Sequence, residues 1–257
     1  MNYLGVDIGA SKIKAVLFES DSHQKTDFAA TSTPQNRKRF FFELEQFINF
    51  FINGRKISGI GVGVPGIVDI ERKILIKAPN IPFLNGWEVK KFFKRFRKPV
   101  EVDNDSRCFL RAEVLWGAAK GCENAVAMTV GTGIGGGIMI GGKIYCGSRN
   151  GAGEFGHSII SAAPVITFEN LAGKKAFLKY GDRSEIIGIG IANIINSFDP
   201  DMVVLGGGGV ISGAVNIVKA AQAARKFVIS PAGRQIAIVK SKLGDAGPAL
   251  GAASLLL

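Results

Sequence analysis

Apolar residues in this chain come in short bursts, separated by glycine turns or by stretches with helical spacing. Tyr3–Ile8 and Ile13–Phe18 are two such bursts around a glycine turn, which predicts two strands joined as a hairpin. A third strand is expected near Phe28–Ser32. After Pro34, residues Phe40, Leu44, Phe47 and Phe51 recur at helical spacing. They predict a helix over Arg39–Asn53 with that stripe in the core and Asn53–Gly54 at its C-terminal cap. Ile57–Val64 reads as a buried strand ending in Pro65–Gly66, Trp87–Arg97 as a helix and Val100–Asp103 as a strand. Asp105 or Ser106 would cap a helix running to about Ala119.

The second half restarts the plan. Ala125–Val130 predicts a strand, Gly131–Gly137 a glycine loop and Ile138–Ile140 a returning strand. Strand, glycine turn, strand is the order seen at residues 3–18, so the chain carries a weak internal repeat and two related domains are expected. Helices follow at Thr167–Lys179 and Ser184–Phe198, then a strand at Met202–Leu205. Beyond Gly206–Gly209 come a helix to about Phe227, a strand at Ile236–Val239 and a closing helix at Ala246–Leu257.

Composition changes the picture at three points. Glycine accounts for 34 of 257 residues, without the three-residue period of collagen, so its placement in loops is the informative part. The three cysteines, Cys108, Cys122 and Cys146, have no metal-ligand spacing; a disulfide framework and a zinc cluster are not expected, and a reducing, cytoplasmic setting is. No signal peptide or membrane span is read, since the uncharged Ala125–Gly142 is broken by glycines. Most of the net charge of +11 falls between residues 34 and 100, densest in KKFFKRFRK. That run reads as a solvated helix face with Phe92, Phe93 and Phe96 turned inward, or else as an attractor of polyanions.

Five loops could carry chemistry. Asp7 ends a strand just before Gly9, Ser11 and Lys12. Amides and a cation suit phosphate, and a nearby carboxylate suits hydrated Mg²⁺. Gly131, Gly133 and Gly136 spell G-x-G-x-x-G, but a strand follows where a dinucleotide fingerprint needs a helix, so a phosphate-binding hairpin fits better. Gly206–Gly209 lies between strand and helix and could receive nucleotide, or serve only close packing. In Asp103-Asn104-Asp105, one acid reads as a proton acceptor beside an orienting amide and the other as a turn residue. Glu154 and His157 share a glycine-lined loop able to hold vicinal hydroxyls, whereas His23 stands in a polar loop with no such context.

Taken together, VDIGASKIKAVLF, GIGVGVPGIVD, APNIPFLNGW, VEVDNDSRCFLRAE, TVGTGIGGGIMIGGKIYCG, GAGEFGH, GIANIINSFDPDMVVLGGGG and LGDAGPALGAA resemble, in order along nearly the whole chain, the ROK sugar kinases of the actin and hexokinase superfamily. The resemblance implies two actin-like (ribonuclease H-like) α/β domains with a ligand cleft between them, at 1–116 joined by helix 246–257, and at 117–245. It implies ATP-dependent phosphorylation of a hexose, glucokinase-like and at the 6-OH, by a homodimer using ATP and Mg²⁺. Asp105 matches the catalytic base. Asn104, Glu154, His157 and Glu169 match sugar contacts, with Gly66 and Asn80 beside them. Asp7, Gly9, Ser11 and Lys12 match the first phosphate loop, with Asp7 holding Mg²⁺ through water. Gly131, Thr132 and Gly133 match the second, and Gly207 and Gly208 the adenosine loop.

Two departures stand out. The zinc cluster C-x-C-G-x-x-G-C that usually follows the histidine is missing, so no structural zinc site is expected. The interval from His157 to Glu169 is also short. The DNA-binding members carry an N-terminal winged helix, whereas here the phosphate loop begins within ten residues of Met1, so nucleic acid is not an expected partner. A sugar-binding sensor without catalysis, or a kinase using polyphosphate, are the competing expectations.

Overall fold

The computed structural model describes residues 1–20, 24–71 and 73–257, so His23 lies outside the described residues. The chain forms two compact units. One comprises Met1–Ala112, Ser148–Gly151 and Ala246–Leu257; the other comprises Glu113–Gly147 and Ala152–Asp245.

The first unit is built from β1 (Asn2–Ile8), β2 (Lys12–Glu19), β3 (Gln24–Ser32), α1 (Arg37–Ile52), β4 (Gly59–Val64), β5 (Ile67–Asp69), β6 (Ile74–Lys77), β7 (Trp87–Glu88), α2 (Val89–Phe93), β8 (Val100–Asn104) and the start of α3 (Asp105–Trp116). Its main sheet has the order β3-β2-β1-β4-β8, antiparallel through β3, β2 and β1 and parallel through β1, β4 and β8. Along α1, Phe40, Leu44 and Phe51 are buried as the spacing predicts, joined by Ile48, while Phe47 packs at the rim. Each such burial is worth about 1.5–3 kcal/mol. The helix starts where the Asn36 side chain accepts the Arg39 N–H.

The basic run departs from expectation in part. Phe92, Phe93 and Phe96 do turn inward. Trp87, however, is the edge of a three-stranded sheet β5-β6-β7, and only Val89–Phe93 is α-helical before a 3₁₀ turn at Lys94–Phe96. These strands are two to four residues long and have no period to read in sequence.

The second unit repeats the topology. Its strands β9 (Ala125–Val130), β10 (Ile134–Ile140) and β11 (Lys143–Ile144) are antiparallel, and β9, β14 (Met202–Gly206) and β15 (Ala237–Lys240) are parallel, in the order β11-β10-β9-β14-β15. The repeat seen in the sequence is thus a repeat of sheet order. A hairpin of β12 (Ile159–Ala162) and β13 (Val165–Thr167) occupies the shortened interval after His157. The expected helix at 167–179 is broken at Gly173 into α4 (Phe168–Ala172) and α5 (Lys174–Tyr180). α6 (Ser184–Phe198) lies where its spacing places it and packs on the helix at Ile217–Phe227. The helix expected after Gly206–Gly209 is likewise two, α7 (Gly208–Ile211) and α8 (Ile217–Phe227), the second capped by Asn216.

β10 also begins earlier than expected. Gly135, Gly136 and Gly137 are strand residues rather than loop. A Cβ on Gly136 would lie 2.2 Å from the Phe155 ring, so the glycine admits that ring against the sheet.

The closing helix α9 (Gly247–Ala253) belongs to the first unit and packs on β1, β2 and β4. The approach is backbone to backbone: a Cβ on Gly61 would lie 1.7 Å from the Ala252 carbonyl oxygen. Among the described residues, no helix is long and apolar enough to cross a membrane.

Candidate active site

In open sheets with parallel strands, ligands bind beyond the carboxyl ends of those strands. In the first unit the register aligns Asp7 on β1 with Gly63 on β4, and Gly63 with Asp103 on β8. Asp7, Asn104 and Asp105 therefore stand along one edge of one sheet.

Asp7 is buried, and its Oδ2 lies 3.6 Å from Lys14 Nζ. The cation beside it is thus Lys14, whereas Lys12 is exposed at the hairpin tip. The signal was available: a turn over Gly9–Lys12 puts Ile8 opposite Ile13, and hence Asp7 opposite Lys14. The Gly9 N–H, expected to face phosphate, closes the turn on the Lys12 carbonyl at 2.9 Å. The loop is held from outside by residues that sequence reasoning missed. Thr33 Oγ1 donates to the Gly9 carbonyl at 2.7 Å, the Thr33 N–H to Ser11 at 3.1 Å and Gln35 Nε2 to Ala10 at 3.2 Å.

The two acids around Asn104 separate cleanly. Asp103 is buried, and its Oδ1 accepts from Arg107 Nε at 2.6 Å and from the Asn104 N–H at 2.7 Å. Arg111 Nη2 lies 3.6 Å from its Oδ2. Asp105 is half-buried at the first position of α3, its Oδ1 accepting the Ser106 N–H at 2.7 Å. Asp103 is the structural acid and Asp105 the one at the surface of the sheet edge.

The cap of α3 is Asn104 rather than Asp105 or Ser106. Its Oδ1 accepts the N–H groups of Ser106 (2.9 Å) and Arg107 (3.1 Å), and its Nδ2 donates to the Gly66 carbonyl at 3.0 Å. That leaves Asn104 one amide hydrogen to offer a ligand. Gly66 holds this carbonyl at φ 82°, where a Cβ would lie 2.1 Å from the Lys77 oxygen. Asn80 is exposed in the turn after β6. Behind them Cys108 is buried; burial and the Asp103 charge push its thiol well above its ordinary range, so it stays a neutral packing group.

In the second unit the Gly131–Gly133 turn, closed by the Gly131 N–H on the Gly133 carbonyl at 2.9 Å, is held by the segment containing Glu169. Glu169 Oε2 accepts the Ile134 N–H at 2.9 Å, and the Lys174 N–H donates to Gly131 at 3.0 Å. A Cβ on Gly156 would lie 3.2 Å from Glu169 Oε2, which brings the Glu154–His157 loop alongside. Glu154 is half-buried and its Oε2 is 3.8 Å from the exposed His157 Nε2.

Gly207, between β14 and α7, has φ 88°, where a Cβ would lie 2.6 Å from the Val130 oxygen; close packing requires it. A Cβ on Gly208 would meet nothing within 4 Å, so the fold does not require glycine there.

The model of the ROK family matches residues 3–175 and 167–257. A Clostridium perfringens protein described as uncharacterized is 31% identical over 235 residues, covering 79% of this chain and 80% of that protein. An N-acetylgalactosamine kinase of Shewanella sp. (strain ANA-3) is 26% identical over 295 residues, covering 97% and 94%. Among solved structures, a ROK family glucokinase from Streptomyces griseus in complex with glucose and AMPPNP matches with TM-score 0.89 at 25% identity, covering 99% of each chain.

Proposed function

The chain belongs to the ROK family, whose sugar kinases share its fold of two actin-like α/β domains, and from that premise we propose that it transfers the γ-phosphoryl group of ATP to a primary hydroxyl of a hexose, the 6-OH. The observation that carries this reading is the division of labour around Asn104. Asp103 is consumed by Arg107, while Asp105 stands half-buried beside an amide with one donor to spare.

Asp105 accepts the proton of the hydroxyl as its oxygen attacks phosphorus in line, and the bond to the bridging oxygen breaks with its electron pair leaving on ADP. Asn104, Glu154, His157 and Glu169 hold the neighbouring hydroxyls. Of these, Glu169 has one oxygen committed to the Ile134 N–H, which fixes its carboxylate for the other. The turns of Gly131, Thr132 and Gly133 and of Gly9, Ser11 and Lys12 lie against phosphates, the Gly9 and Gly131 N–H groups closing those turns rather than donating to the ligand, and Gly208, beside the tightly packed Gly207, lies against the adenosine.

Mg²⁺ bound with ATP would supply charge neutralisation at the phosphates. Asp7, a carboxylate at the end of β1, is the residue that would hold the ion, through water.

The test is phosphoryl transfer from MgATP to a panel including glucose, mannose, N-acetylglucosamine and N-acetylgalactosamine, with the phosphorylated carbon read by NMR. Transfer to the 6-position of a hexose supports the reading. Sugar binding without transfer would favour a sensor, and preference for polyphosphate over ATP would change the donor.

A further inference from the structure

Arg107 is the largest fully buried side chain among the described residues. A buried guanidinium carries five donors and a charge, and it is costly unless its partners are fixed. Its Nε takes Asp103, its Nη1 donates to the carbonyl of Asn150 at 3.1 Å, and its Nη2 is buried without a hydrogen-bond partner. Anchoring Asp103 alone requires one arm. The second arm reaches 43 residues along the chain.

The place it reaches is distinctive. Ser148–Gly151 pack with the first unit, while the residues on either side of them, through Gly147 and from Ala152, belong to the second. Asn150 is held in the left-handed region at φ 59°. Asn tolerates that region better than most residues, but an outside partner still helps to hold it. Four residues further on, after Gly153 at φ 94°, stands Glu154.

We propose that Arg107 is a positioning residue for sugar binding. One arm fixes Asp103, whose Oδ1 in turn holds the Asn104 N–H at the start of α3. The other fixes the Asn150 carbonyl, and so the point from which the chain enters the loop of Glu154 and His157. One side chain thereby sets two groups of sugar contacts that lie far apart in sequence. This role rests on the kinase reading above.

Arg107→Lys keeps a cation for Asp103 but loses the second arm. The expected result is a rise in KM for the sugar of about tenfold or more, with KM for ATP and kcat within about threefold, the signature of lost sugar positioning. Amide hydrogen exchange in the peptide 146–157 should quicken about tenfold while β8 keeps its protection. Asn150→Pro, confined to the loop, removes φ 59° and displaces the carbonyl without touching the core, so it keeps the test open if the lysine variant folds poorly; the same rise in sugar KM is expected. Folded variants with unchanged sugar KM and unchanged exchange overturn the proposal. A loss of kcat and both KM values together with lowered melting temperature in both variants also overturns it, as a purely structural role. Wild type is assayed alongside. An inactive wild type counts against the kinase reading, whereas an active wild type with unmoved variants counts against Arg107 alone.

Discussion

The two units share one sheet order but load its functional edge differently. In the first, the strand ends carry charge: Asp7 against Lys14, Asp103 against Arg107, and Asp105 at the helix start. In the second, the corresponding hairpin turn is Gly131-Thr132-Gly133 and the next parallel strand leads through Gly206 into Gly207-Gly208, with no ionisable side chain in either. The supports differ as well. Thr33 and Gln35, just beyond a nine-residue β3, hold the first turn, while Glu169 and the Lys174 N–H hold the second, beside a β11 of only two residues. A repeated topology thus supplies two edges, one bearing ionisable side chains, the other glycine backbone.

Substitutions can break this contrast. The largest effect on folding is expected from Asp103→Asn, which leaves Arg107 buried with its charge unpaired; a loss of about 3–5 kcal/mol is predicted, read by denaturant unfolding. Asp105→Asn, two residues away, should leave the unfolding midpoint nearly unmoved. Equal destabilisation by both would erase the distinction between structural and catalytic acid.

Within the second edge, Gly207→Ala forces a Cβ into a left-handed position against the Val130 oxygen and should cost about 1–3 kcal/mol. Gly208→Val should unfold like wild type yet raise KM for ATP about tenfold, because its side chain enters space the fold leaves empty. Calorimetric ATP affinity unchanged in Gly208→Val would return this loop to a packing role.

The smallest effect concerns Asp182. Hydrogen bonds from the Ser184 side chain and backbone, and from Lys219, hold its pKa at about 2. A carboxylate depressed in the folded state contributes stability above its unfolded pKa and loses it as pH falls through the folded one. That window runs from roughly pH 4 down to 2. The group is largely solvated, so the contribution is about 0.5 kcal/mol or less. Asp182→Asn should flatten the pH dependence of melting there; an identical acid limb in the variant would contradict the assignment.

Much of this was legible in the sequence. The strand–turn–strand repeat, the long helices α1 and α6 and the inward phenylalanines follow from period alone, since a buried face repeated over several turns is a strong local signal. What stayed hidden depends on distant partners. The break at Gly173, the β12–β13 hairpin and the β5–β6–β7 sheet have segments too short for a period to form. From sequence β10 is expected to start only at Ile138 because glycine signals a turn, whereas Gly136 serves a ring from residue 155. At the proposed site, residue type and spacing point to the motif residues but not to their division of labour. That Asn104 caps α3, and that Arg107 ties Asp103 to Asn150, are bonds no local pattern announces.

The most direct measurement is the turnover of wild type and Asp105→Asn on the hexose panel with saturating MgATP, with sugar affinity measured in parallel. The account predicts transfer by wild type and a fall in kcat of about 10²–10⁴-fold or more in the variant at nearly unchanged sugar affinity. A folded Asp105→Asn enzyme that turns over like wild type would contradict it.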